Sequence, residues 1–396
     1  MDRNIFAVLV LLYASSMYAA KPLSDKAQFS FLIGEPSSNT ILSIFGHAAL
    51  RVNDPELDLD YVFNYGIFDT SDPKNILQFF IGDLYCELWV YAAEEYLGFI
   101  RNEKIEMKEH FLNLSPEERE MFWQYLIGMG ENKKGKYLYD ILRTNCTTLL
   151  LMSVEKAIPE KITYNYSDDL LKGSYSSLGR PYVEKYPWHY FFAYFFFGSS
   201  TNQLLTFKES LFLPYNLEAA YQSAVIKTDT GSRPLISSSE ILVEGAPEKI
   251  THILTPLTVG CVLFLIILFL SLVEWKKKKY FRIVDCILFG IAGLFGLVLF
   301  LMNTVFAEWY NWFGYNLLWL HPIHLLGVIF FFCKKWDKPA YWYHWFNLAT
   351  LLIGAIAVYN FGILTKQLTV AAPYMLALGI RSVFGLMRYY KQNTFR

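Results

Sequence analysis

The chain is poor in charge and in cysteine. Charged residues make up 18% of 396 positions and almost cancel, leaving a formal net charge of −1. There is no basic stripe to neutralise a nucleic-acid backbone. A glycine-rich phosphate loop and zinc-type Cys/His spacing are also missing, so neither a cofactor nor a metal is expected. Of the five cysteines, Cys261, Cys286 and Cys333 fall in apolar runs and read as packing residues. Cys86 and Cys146 lie in the more polar first part. Outside the cytoplasm those two could form a disulfide, which is the bland reading of Cys146, while Cys86 sits in a strand-like alternating run and reads as a packing residue.

Apolar residues, by contrast, reach 54% and aromatic ones 18%, and they are unevenly spread. Most of the charge precedes residue 250, and long apolar runs follow. This pattern predicts an extracytoplasmic domain over 21–250 and a membrane domain over 251–396, with the polar stretch 228–249 as boundary. Residues 1–20 read as a secretory signal: Arg3, then an apolar core over 5–13, then small residues. No cysteine follows that core, so the chain is not expected to be a lipoprotein itself. Five apolar runs, near 252–274, 282–304, 315–333, 344–363 and 368–387, each approach the ~20 residues that cross a bilayer. Basic flanks at Lys276–Lys279 with Arg282, Lys334 with Lys335, and Arg388 with Lys391 alternate with loops nearly free of Lys and Arg. The positive-inside rule then places 21–250 outside and the C-terminus in the cytoplasm.

Asn316, His321 and His324 fall at membrane depth by this counting. Such groups either hydrogen-bond between helices or line a polar cleft open to the outer leaflet. The aromatic run 187–198 is too short to span. It suits either a core or a lipid-dipping surface.

Within 21–250 the elements read as α+β. Residues 28–34 have strand composition. Gly46 introduces His47 and a strand of small residues, and a second strand covers 61–66. Residues 84–91 are a further strand, and 103–108 alternate weakly. Ser115, Pro116 and Glu118 form a helix start of the capping-box type. Asn145 is a good N-cap before an apolar run of helical length, which puts Cys146 in a first helical turn. The unpaired N–H groups and positive dipole end there favour a thiolate.

A thiol and an imidazole make a nucleophile–base pair when the fold joins them, so Cys146 and His47 are the candidate pair. A third group usually fixes the imidazole, and Asn64 and Tyr65 on the next strand are candidates. Spacing alone leaves His47 open to a purely structural role. His110 and His189 show no comparable surroundings.

The motifs Phe45-Gly-His47-Ala-Ala-Leu-Arg-Val52, Phe63-Asn-Tyr-Gly-Ile-Phe-Asp69, Asn113-Leu, Tyr137-Leu-Tyr-Asp140 with Asn145-Cys146-Thr-Thr148, and Phe212-Leu-Pro214 occur in that order. They resemble the periplasmic domain of the Lnb lipoprotein N-acyltransferase family. Asn316-Leu-Leu-Trp-Leu-His-Pro322 resembles that family's membrane domain. The resemblance implies a papain-like fold of the permuted NlpC/P60 kind, followed by an all-α membrane bundle in a bacterial inner membrane. It also implies transfer of an acyl chain from a membrane phospholipid, through Cys146 with His47 as base, to the α-amine of a diacylated lipoprotein. Asn64, Tyr65 and Asn145 match its motifs as supporting residues. Two alternatives stand beside it: a cysteine hydrolase acting on cell-wall peptides or phospholipid, and a membrane scaffold in which Cys86 pairs with Cys146.

Overall fold

The computed structural model describes residues 22–37, 43–69, 71–131, 136–165, 171–246, 254–306, 314–361 and 365–393. The expected signal segment, 1–20, lies outside these. The chain divides into two compact units: Met1–Tyr182 with Leu204–Lys249, and Val183–Gln203 with Ile250–Arg396. A single boundary near 250 therefore misses a detour, in which 183–203 join the second unit.

The first unit opens with β1 (Gln28–Gly34), β2 (His47–Asp54) and β3 (Leu59–Ile67). Helix α1 (Pro73–Ile81), β4 (Tyr85–Ala92) and α2 (Ala93–Glu103) follow. Next come β5 (Met107–Leu112), α3 (Pro116–Glu131), β6 (Tyr137–Leu138), α4 (Cys146–Ala157), β7 (Ile162–Thr163) and α5 (Tyr175–Val183). After α6 (Pro187–Phe196) in the second unit, the chain returns through α7 (Phe207–Ser210), α8 (Pro214–Ser223), β8 (Val225–Thr228), β9 (Gly231–Pro234) and β10 (Ile236–Val243).

Seven strands form one antiparallel sheet in the order β10-β5-β1-β2-β3-β4-β6. Strand residues alternate between its two faces. Phe31, Ile33, Ala48, Leu50 and Phe63 pack with Phe122, Leu126, Leu150, Val154 and Leu217 of α3, α4 and α8. Leu32, Ala49 and Val62 pack on the other face with Tyr96, Leu97 and Ile100 of α2. Both faces of β1 are thus covered, which is why its sequence is apolar almost throughout. The class is α+β, as expected. The polar stretch 228–249 is more than a boundary, since β10 within it is the edge strand beside β5. Its mostly exposed side chains explain why it reads as a linker.

In the second unit, α9 (Pro256–Lys277), α10 (Arg282–Thr304), α11 (His324–Phe332), α12 (Asp337–Phe361) and α13 (Thr365–Asn393) are helical. Among the described residues, three helical stretches are long and apolar enough to cross a membrane: Pro256–Lys277, Arg282–Thr304 and Leu368–Lys391. The expected span 315–333 is instead a short 3₁₀ turn, Tyr315–Leu318, followed by the nine-residue α11. At ~1.5 Å per residue, α11 covers less than half of a ~30 Å core. Pro322 lies in the break and cannot donate a helical N–H. Buried Arg381 of α13 ties the bundle together through Asp285 of α10 and through Glu274 and Ser271 of α9. Helix α6 sends Phe191 and Phe195 into the apolar core of this unit and leaves Trp188 and Phe192 more exposed. The aromatic run is therefore both core and surface.

Candidate active site

Helix α4 begins as its sequence predicts. The Asn145 side-chain oxygen accepts from the backbone N–H groups of Thr147 and Thr148, both at 3.0 Å. The Thr148 hydroxyl accepts from the Asn145 N–H in return, completing a capping box. The Asn145 amide nitrogen donates to the carbonyls of Ile141 and Phe212. Asn145 therefore fixes the helix start and anchors it to the segment before α8, leaving Cys146 as the first helical residue.

His47 reaches this point from β2. Gly46 holds φ +80°, and a Cβ there would fall 2.7 Å from the Gly34 carbonyl oxygen. Only glycine enters the strand here without strain. A second glycine serves the cysteine. The register of β3 against β4 shifts between Asn64 and Ile67, and Gly66 in that bulge holds φ +81°. A Cβ on Gly66 would lie 3.6 Å from the Cys146 nitrogen, so its absence leaves room beside that N–H. The Tyr137 hydroxyl accepts from the Gly66 N–H and fixes the bulge.

His47 Nε2 donates to the Asn64 side-chain oxygen at 2.6 Å. This leaves Nδ1 to face the sulfur. Both His47 and Cys146 retain partial solvent exposure. Burial by itself pushes the Cys146 thiol up, but the charge and hydrogen bond of His47 and the Ala48 N–H outweigh it and bring the thiol down to about 7. Burial likewise opposes the His47 imidazolium, yet the thiolate and the Asn64 bond raise it above its ordinary value. The two shifts favour one state, a thiolate–imidazolium pair. Cys86 is a contrasting thiol: buried and without a base, it is pushed up to about 12. Both cysteines are free, so the expected alternative of a disulfide between them is not formed.

Tyr65 is placed differently from the expectation. Neighbours on a strand point to opposite faces, and the Tyr65 hydroxyl bonds the Ser153 hydroxyl of α4 at 2.8 Å. It holds the cysteine helix and does not touch the imidazole. Phe212-Leu-Pro214 acquires a role that its sequence did not suggest. The Phe212 carbonyl receives Asn145, and the Pro214 ring lies 3.7 Å from the position of a Gly46 Cβ.

His110, whose sequence surroundings are unlike those of His47, nevertheless acquires partners in the fold. It is buried on β5 and stacks on Phe31 at 4.6 Å. Its Nε2 faces the Glu218 carboxylate at 3.0 Å, and its Nδ1 faces the Ser239 hydroxyl at 2.7 Å.

A family model described as the Lnb N-terminal periplasmic domain matches residues 24–173, and one described as the Lnb transmembrane domain matches residues 248–393. The chain belongs to the Lnb family. It is a membrane protein with a periplasmic segment, and the periplasmic match contains His47, Asn64 and Cys146. No curated protein and no solved structure matches this Lnb chain.

Asn316, His321 and His324 lie within the Lnb transmembrane match and are buried. His324 Nε2 donates to the Trp319 carbonyl, and its Nδ1 accepts from the Tyr343 hydroxyl. His321 stacks on His324 at 4.0 Å and reaches the Thr350 hydroxyl. The Asn316 side-chain oxygen accepts from the Trp319 ring N–H. The His324–Tyr343 and His321–Thr350 bonds reach across to α12, whereas the Asn316–Trp319 bond stays within its own turn. Among the described residues, no cluster of His, Cys, Asp and Glu is arranged to hold a metal ion.

Proposed function

We propose that this chain is a lipoprotein N-acyltransferase working through a thioester on Cys146. The observation that carries the reading is the Cys146–His47–Asn64 arrangement at the start of α4, in a chain whose family domain is membrane-embedded.

The Cys146 thiolate attacks an ester carbonyl of a phospholipid. A C–S bond forms, the ester C–O bond breaks, and the His47 imidazolium protonates the departing glycerol oxygen. The neutral α-amine of a diacylglyceryl-cysteine lipoprotein then attacks the thioester. A C–N bond forms, the C–S bond breaks, and His47 takes the amine proton, which restores the ion pair. In this reading the Cys146 N–H beside Gly66 donates to the oxyanion, and the Ala48 N–H, which bonds the sulfur, steadies the thiolate. Asn64 orients the imidazole, while Asn145 and Tyr65 position the helix. In the membrane, residues 21–250 face the periplasm and five passes end with the C-terminus in the cytoplasm, following the basic flanks. Because α11 is short, the third pass combines the 3₁₀ turn, the break at Pro322 and α11.

The test is reconstitution in phospholipid vesicles with a diacylated lipoprotein, read on its N-terminal peptide by mass spectrometry. A gain of one acyl chain that requires Cys146 supports the reading. Free fatty acid without acyl gain indicates a hydrolase and overturns it.

A further inference from the structure

Helix α1 is unusual within the first unit because none of its nine residues is buried. Five of the nine are nevertheless Ile, Leu or Phe. Helical spacing places Ile76, Leu77 and Phe80 on one face and Lys74, Asn75 and Gln78 on the other. Leu77 is 58% exposed and Phe80 38%. The helix is well built despite this exposure. Asp72 caps its start, Pro73 occupies the first turn, and Gly82 closes it in the left-handed conformation.

The helix also connects to the candidate site. Phe79, on its inner side, packs against Phe68 at 6.1 Å and Tyr139 at 6.2 Å, and Phe68 lies 6.2 Å from Tyr139. Tyr139 in turn lies 3.2 Å from the position of a Gly66 Cβ, next to Cys146. A line of rings thus runs from the exposed face of α1 to the Gly66 bulge beside Cys146. None of these side chains carries a charge and most are purely hydrocarbon, so the line suits an acyl chain better than a charged ligand.

We infer that α1 is a membrane-contacting helix that dips its Ile76–Leu77–Phe80 face among the acyl chains of the bilayer and guides one of them along Phe79, Phe68 and Tyr139 to Cys146. The occupant is phospholipid hydrocarbon. The chain's own transmembrane domain holds the protein at such a surface, and a short amphipathic helix with an apolar face and a polar back is a form that lies in a bilayer interface. The inference rests on the acyl-transfer reading for its purpose, though the lipid contact can be measured without it.

The full chain is reconstituted in vesicles of phosphatidylethanolamine and phosphatidylglycerol with a benzophenone amino acid at position 77, or at Glu94 on the exposed side of α2 as control. Lipid adducts at 77 and not at 94 are expected. Absence of adducts at 77, or equal yield at both positions, overturns the inference. In parallel, Leu77→Glu with Phe80→Glu is expected to lower transfer from vesicle phospholipid about tenfold or more. The rate at which iodoacetamide alkylates Cys146 should stay unchanged. Transfer at the unaltered rate overturns the guiding role. Adducts at 77 in a wild-type chain that transfers no acyl group would defeat the acyltransferase reading and leave the membrane contact standing.

Discussion

Two strands of one sheet carry histidines in similar company. His47 on β2 stands between an amide oxygen and a thiol, and His110 on β5 stands between a carboxylate and a hydroxyl. Their difference lies in the group that faces each imidazole. Cys146 starts a capped helix, meets backbone N–H groups and accepts negative charge. Ser239 sits on an exposed edge strand, directly across from His110 in register, and a serine hydroxyl does not ionise in such a place. One histidine can therefore share a mobile proton, while the other binds β10 and α8 to the sheet. An imidazole is read by the acidity of its neighbour more than by its own burial.

Exchanging the roles should break this comparison. Cys146→Ala should abolish transfer, and Ser239→Ala should leave the rate within a factor of about two. A large loss from Ser239→Ala would show that the second trio is chemical too. His47→Ala should cost about 10³- to 10⁴-fold in kcat/KM with the melting temperature nearly unchanged. It should also move the pH profile of Cys146 alkylation. In the wild type, alkylation should rise with pH through about 7, where His47 brings the thiol down. Without His47 the opposing burial remains, so the midpoint moves upward past the ordinary thiol value. A profile still centred near 7 would mean that the helix end alone sets the thiol. His110→Ala should do the reverse, costing about 2–3 kcal/mol of stability, because Glu218 and Ser239 lose a buried partner, with little change in rate. Chemical denaturation and a transfer assay on the same sample separate the two effects. Asn64→Ala should lower kcat about tenfold to a hundredfold by freeing the imidazole to rotate. Tyr65→Phe, one residue away, should cost only about 1 kcal/mol of stability.

That last pair shows what was legible in the sequence. Asn64 and Tyr65 are adjacent in the motif, and both were candidates for the same task. Strand alternation separates them, and only the three-dimensional register says which one meets His47. The caps at Asn145 and Ser115 were readable because they are local, and each forms as expected. Helix α2 was not readable. It follows β4 directly, and its N-cap, Ala92, makes no side-chain capping bond. Strand β10 was taken for a boundary because an exposed edge strand rich in serine lacks the alternation of a half-buried one. In the membrane domain, hydropathy located the apolar mass but could not see that 315–333 breaks at Pro322. Nor could it see that His321 and His324 turn inward to Thr350 and Tyr343.

The detour of the chain through α6 has a consequence for biosynthesis. Residues 183–203 leave the ribosome before any of α9 to α13 exists, yet Phe191 and Phe195 pack into the apolar core of that later bundle. Until those helices are made, α6 is an orphaned aromatic segment and a site for aggregation or chaperone capture. A chain truncated at residue 250 would keep the nucleophile and its base but would carry this segment permanently unsheltered. The natural cut for a free-standing first unit would excise 183–203 and rejoin Tyr182 to Leu204 by a short linker.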